Sequence, residues 1–108
     1  MEKPDTGKYA LHAKILKALA HPTRLFLVDA LGKKEHCVCE LTEMVGADTS
    51  TVSRHLSLLK NAGIVGIEKR GTNVYYALKI PCALNFLRCS REVMEASLAE
   101  QIKAIRKQ

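Results

Sequence analysis

Apolar residues recur along this chain first at helical and then at strand spacing, and the change of period lays out its elements. Leu11, Ile15, Leu16 and Leu19 predict a helix over residues 9–19, after a flexible lead-in at 1–8 that contains Pro4 and Gly7. Pro22 suits the first turn of a second helix running through Arg24 and Leu31, with Gly32 near its end. A short third helix over 38–45 stops at Gly46. Asp48 is placed to cap a fourth over 49–62, which Gly63 closes. From residue 64 the pattern turns to strands, 64–70 and 74–79, joined by Gly71-Thr72-Asn73, with Val74, Tyr75 and Tyr76 favouring extended backbone. Pro81 interrupts the second strand and opens a last helix over 82–106.

The order α-α-α-α-β-β-α, mainly helical with a small β-hairpin, is that of a winged helix-turn-helix, and residues 9–108 form one such domain. Its fourth helix has two faces. Val52, Leu56 and Leu59 stand at i, i+4 and i+7 and face inward, while Ser50, Arg54 and Ser57 lie opposite, flanked by Thr51 and Ser53. Short hydroxyls let a helix approach phosphates and base edges closely, and arginine can bind guanine through two hydrogen bonds. The start of that helix would also favour a phosphate. Lys69 and Arg70, with Asn73, stand at the tip of the hairpin, where a wing meets neighbouring phosphates.

Charge supports the same partner. Seventeen Lys and Arg against eleven Asp and Glu leave a formal charge of +6, which favours a polyanion. The absence of Trp, and only two Phe, argue against a platform for single-stranded bases, so duplex DNA is expected. No stretch approaches the roughly 20 apolar residues that span a bilayer, and the first residues have no apolar signal core, so a cytoplasmic location is expected. The last helix carries Leu84, Leu87, Met94, Leu98 and Ile105 on a heptad-like seam, broken by Arg91 and Gln101. With so short a chain burying a modest core, that seam predicts a dimer, with the first helix as its partner.

The runs Ala20-His21-Pro22-Thr23-Arg24-Leu25, Cys37-Val38-Cys39-Glu40-Leu41, Ser50-Thr51-Val52-Ser53-Arg54-His55-Leu56 and Ala62-Gly63-Ile64-Val65 resemble the ArsR/SmtB family of metal-responsive repressors over roughly residues 9 to 80. The resemblance implies a homodimer that holds a palindromic operator and releases it when a metal or metalloid binds. It places Thr49, Ser50, Ser53 and Arg54 at groove-reading positions, and with Thr51 and His55 beside them these form the expected reading face.

Four cysteines in a reducing compartment point to ligand binding or redox sensing rather than a disulfide framework. Cys37 and Cys39 straddle the start of the third helix. Cys37 as its cap, with Glu40 completing a capping box, would place a thiol where its thiolate is stabilised, the form that soft ions bind. Residues at i and i+2 diverge by about 200° on an intact helix. Both sulfurs are therefore expected to reach one ion only if the first turn unwinds or bends, which would couple binding to DNA release. In the arsenite-responsive members that the chain resembles, a further cysteine follows three positions after this pair; here that position is Thr42. Arsenite prefers three thiolates, and the third is then Cys89 or, failing it, Cys82, from the same or the other subunit. Zinc sensing through the last helix is disfavoured, because the relatives that do so use Asp and His there, and none follows Asp48 and His55 respectively. His12, His21 and His36 read as surface or core residues, with His36 the only further candidate ligand.

The resulting expectation is a repressor induced by arsenite, with cadmium, lead or a thiol-redox signal (persulfide included) as alternative inputs to the same fold. A thiol oxidoreductase would need Cys-x-x-Cys and is not expected. A winged helix used only for protein contacts would show no salt-sensitive binding to duplex DNA.

Overall fold

The computed structural model describes Lys3 and residues 6–107, so most of the expected lead-in lies outside the described residues. The elements in order are α1 (Thr6–Leu19), α2 (Pro22–Lys33), β1 (His36–Cys37), α3 (Val38–Val45), α4 (Thr49–Asn61), β2 (Val65–Arg70), β3 (Asn73–Leu78) and α5 (Ala83–Arg106). This is a winged helix-turn-helix, as expected. α1 starts three residues before the predicted Tyr9, because its residues up to Lys17 are exposed and apolar spacing does not mark its first turn.

Local chemistry sets the helix ends. His21 caps α2 by accepting the Thr23 amide on Nδ1, ahead of Pro22 in the first turn. α3 and α4 stop where Gly46 and Gly63 take φ of 76° and 81°, a region that side chains with a Cβ avoid. Gly32 lies near the end of α2, as expected. A Cβ there would come within 2.7 Å of Leu84 Cδ2, so its smallness serves the approach of α5.

The core lies between α2, α3, α4 and the sheet. Leu27 and Val28 from α2, Leu41 from α3, Val52, Leu56 and Leu59 from α4, and Ile64 and Val65 around the start of β2 are fully buried. The inward i, i+4, i+7 stripe of α4 is therefore what seats the reading helix on the domain. The strands form one antiparallel sheet in the order β1-β3-β2. β2 and β3 make the predicted hairpin, with Arg70 opposite Asn73 and Gly71-Thr72 as the turn. β1 was not legible in the sequence, since two residues carry no periodicity; it pairs His36 with Tyr76 and Cys37 with Tyr75.

The chain does not close on itself. Its radius of gyration is 17.7 Å, against about 13 Å for a compact chain of this length. Two helices leave long apolar rows uncovered: Tyr9, Leu11, Ile15 and Leu16 on α1, and Phe86, Val93, Met94, Leu98, Ile102 and Ile105 on α5. Of the predicted seam, Leu84 and Leu87 turn partly into their own domain, while Met94, Leu98 and Ile105 remain exposed.

Leu56→Ala, which opens a cavity beneath the reading helix, is expected to cost about 2–5 kcal/mol. Urea unfolding followed by circular dichroism measures it.

Candidate nucleic-acid interface and thiol pair

α4 presents its polar face as the sequence predicts. Thr49, Ser50, Arg54 and Ser57 are exposed, and Thr51 and Ser53 are half-buried beside them. Asp48 caps its N-terminus, as expected. The Asp48 carboxylate accepts hydrogen bonds from the Thr51 amide (3.1 Å) and the Ser50 hydroxyl (3.2 Å), and bonding chiefly to Thr51 holds its carboxyl below the usual range. A fixed negative charge thus serves the helix start. Attraction to a polyanion falls to cationic side chains.

At the wing, Lys69 is exposed, as are Thr72 and Asn73. Arg70 is already engaged. Its guanidinium pairs with Glu35 and Glu68 and lies 4.8 Å from the centre of the Tyr75 ring. Spacing could not reveal that pairing, because Glu35 comes from the α2–β1 connection. His55, grouped by sequence with the reading face, turns toward α2. Its Nδ1 stands 3.2 Å from Arg24 Nη1 and its ring centre 4.4 Å from that of His21.

Cys37 occupies two elements at once. It is the second residue of β1, paired with Tyr75, and the extended N-cap of α3 (φ −79°, ψ 162°). Glu40 returns from the first turn to accept the Cys37 amide (3.2 Å) and also meets His36 Nδ1 at 3.2 Å. The first of these contacts, then the second, holds the Glu40 carboxyl below its ordinary range. This is the capping-box arrangement that the sequence suggests. His36 is itself buried.

The sulfurs of Cys37 and Cys39 meet, and the structure joins them in a disulfide. This corrects the expectation that α3 must unwind or bend. The 200° divergence holds only for two helical residues, and Cys37 lies outside the helix on extended backbone. α3 is intact from Val38 onward. The pair opens into a cleft of about 300 Å³ lined also by Thr49 at the start of α4 and by Thr72 and Asn73 at the wing tip, with Val38 and Val74. Sequence reasoning did not single out Thr72, which carries no chemical signature of its own.

Cys82 and Cys89 are free and exposed and do not line that cleft. Among the described residues no group of three or more His, Cys, Asp and Glu side chains gathers to hold a metal ion. Thr42, at the position where the resemblance expects sulfur, has a buried hydroxyl with no hydrogen-bond partner among the described residues. No helix among them is long and apolar enough to cross a membrane.

A helix-turn-helix with an exposed hydroxyl- and arginine-bearing second helix, followed by a hairpin with a basic tip, defines a DNA-binding module. The family model described as "Bacterial regulatory protein, arsR family" matches residues 21–66. The HTH-type transcriptional regulator Rv0081 of Mycobacterium tuberculosis is 30% identical over 98 residues, covering 90% of this chain and 86% of that one. The crystal structure of Rv0081 matches with a TM-score of 0.78 at 29% identity, covering 94% of this chain and 99% of that one. The cadmium resistance transcriptional regulatory protein CadC of Listeria innocua is 37% identical over 84 residues, covering 77% of this chain and 71% of that protein. A solution structure of the homodimeric winged helix-turn-helix DNA-binding domain Mb0332 of Mycobacterium bovis has a TM-score of 0.76 at 25% identity, covering 93% of each chain. The chain belongs to the ArsR family of helix-turn-helix transcriptional regulators; it is a DNA-binding regulator and not an enzyme.

Because its folded-state carboxyl is held low, Asp48 contributes stability above its ordinary pKa, near 4, and loses it as pH falls through the lower folded value. Asp48→Ala is therefore expected to lower the thermal midpoint at pH 7. The gap to the unsubstituted chain should narrow as pH falls below about 4, as calorimetry across that range would register.

Proposed function

We propose that this chain is a homodimeric transcriptional repressor that holds a palindromic operator and releases it when arsenite binds the thiolates of Cys37 and Cys39. The observation that carries the reading is the position of this pair. Its sulfurs meet in a cleft whose other walls are the first residue of the reading helix and the tip of the wing. An ion held by reduced Cys37 and Cys39 would sit between the two elements that must contact DNA together. Cys37 also stands opposite Tyr75 in the sheet that carries the wing, so ligation acts on the wing through β1 as well as on the start of α3.

The DNA contacts in this reading come from Thr49, Ser50, Thr51, Ser53 and Arg54 on α4, with Lys69 and Asn73 on the wing. Arg70 joins them only by exchanging its carboxylate partners for phosphate, and His55 supports the helix from behind. Dimerisation would cover the apolar rows of α1 and α5, which supports the assembly named for the Mycobacterium bovis domain. A third sulfur comes from Cys89 or Cys82. A single chain does not gather three donors among its described residues. The open face of α5 favours supply of that sulfur across the dimer.

Two other inputs have specific support. The cadmium resistance regulator among the relatives favours a soft cation at the same pair. The Cys37–Cys39 disulfide favours a redox input, in which an oxidant takes both sulfurs out of ligand chemistry.

The deciding experiment titrates the protein–DNA complex with arsenite, cadmium, lead and peroxide in turn. The reading expects Cys37→Ser with Cys39→Ser to bind DNA as the unsubstituted chain does and to ignore arsenite; continued release would place the sensor elsewhere. Arg54→Ala should weaken specific binding by roughly 1–3 kcal/mol and relax base preference, an unchanged affinity rejecting the reading face. Thr42→Cys, which exchanges an unpartnered hydroxyl for a third sulfur, is expected to tighten arsenite binding by about tenfold or more, or 1.4 kcal/mol, measured by calorimetric titration.

A further inference from the structure

Arg24 joins three helices through one guanidinium. Its Nε donates to the carbonyl of Ala18 (2.6 Å) and its Nη2 to that of Lys17 (3.3 Å), both in the last turn of α1. From α2 it also reaches His55 Nδ1 on α4, at 3.2 Å from Nη1. An arginine can only donate, so this nitrogen of His55 must accept, and the ring must be neutral with its hydrogen on Nε2. His21 Nδ1 accepts the Thr23 amide that starts α2. The two rings lie 4.4 Å apart. A proton on His55 would convert the acceptor into a second donor and set a positive charge against the guanidinium.

We infer that Arg24 is a positioning residue for DNA reading, holding α4 to the end of α1 through neutral His55, so that protonation of His55 weakens sequence-specific binding. The inference rests on the assignment of α4 as the reading helix. Its consequence follows from the placement of the two helices. α1 carries one of the uncovered apolar rows, and α4 carries the groove-facing hydroxyls and Arg54. A two-fold reader must present both copies of α4 at the spacing of the two half-sites, and the Arg24 link sets α4 relative to the face through which copies would meet. The groups acting on the His55 ring are His21 and Arg24 from α2 and Arg54 from its own helix, while α1 contributes the carbonyls of Lys17 and Ala18 to the shared guanidinium. Burial first, and then these neighbours, keep the ring harder to protonate than an ordinary histidine. The link therefore holds at neutral pH and breaks as pH falls below the ordinary histidine value of 6.5.

The sign of the effect is diagnostic. Protonating histidines adds positive charge, which by itself tightens binding to DNA; breaking the link loosens it. The test uses a duplex enriched from a random-sequence pool by the unsubstituted chain at pH 7.5, with binding followed by fluorescence anisotropy at constant ionic strength between about pH 7.5 and 5.5. The unsubstituted chain is expected to lose about tenfold in affinity across that range. His55→Gln, which offers Arg24 an oxygen acceptor that does not titrate, should keep its affinity at pH 7.5 and lose most of the pH dependence. Arg24→Lys, which cannot span the three acceptors, should bind weakly at both ends of the range with unchanged helical circular dichroism. Affinity that is flat or rises on acidification overturns the inference, as does a His55→Gln profile that follows the unsubstituted chain. If Arg24→Lys does not fold, the His55→Gln profile decides alone. Failure to enrich any duplex overturns the DNA-reading assignment itself, a result distinct from failure of the link.

Discussion

The pairing of β1 with β3 is the contact on which the functional geometry depends. Two residues, His36 and Cys37, stand opposite Tyr76 and Tyr75 in the antiparallel pairing. Through them the wing strand is tied to the cap of α3, and α3 packs on α4 through Leu41, Val52 and Leu56. Without β1 the sheet would lose its tie to the cap of α3, and the thiol pair would face the wing only across the cleft. With it, Cys37 belongs at the same time to the sheet and to the helix-turn-helix. A short edge strand is weak on its own; its worth here lies in what it joins.

This placement changes how the cysteine pair can act. Two cysteines inside one helix would have to break it in order to share a ligand. One cysteine on extended backbone and one in the first helical turn bring their sulfurs together with the helix intact. The fourth helix is separately met from behind by Arg24, whose guanidinium reaches His55. The DNA face is thus supported from two sides, by the sheet at its cysteine end and by the guanidinium at its α1 end.

Much of the fold was legible in the sequence because its signals are local. The Val52, Leu56, Leu59 stripe, the Asp48 cap, and Gly46 and Gly63 at the helix ends each report on their own neighbourhood, and each stands where spacing puts it. What was missed is non-local or too short to have a period. β1 spans two residues, Gly32 serves Leu84 fifty-two positions away, and Arg70 is claimed by Glu35 across the sheet. The cysteine pair was found from spacing, yet its geometry was misjudged, since the divergence of two helical residues was applied to a cap residue whose backbone is extended. His55 was placed on the wrong face for a related reason: it follows Arg54 in the sequence, but its ring turns to a partner on another helix.

The central claim is that ligand binding at Cys37 and Cys39 reaches DNA through the β1–β3 pairing and leaves α3 folded. Amide hydrogen exchange on the reduced protein, with and without arsenite, tests it most directly. The account predicts altered protection at Cys37, Tyr75 and the wing strands, with the interior amides of α3 from Leu41 to Val45 unchanged. Loss of protection through α3 with an undisturbed wing would contradict it.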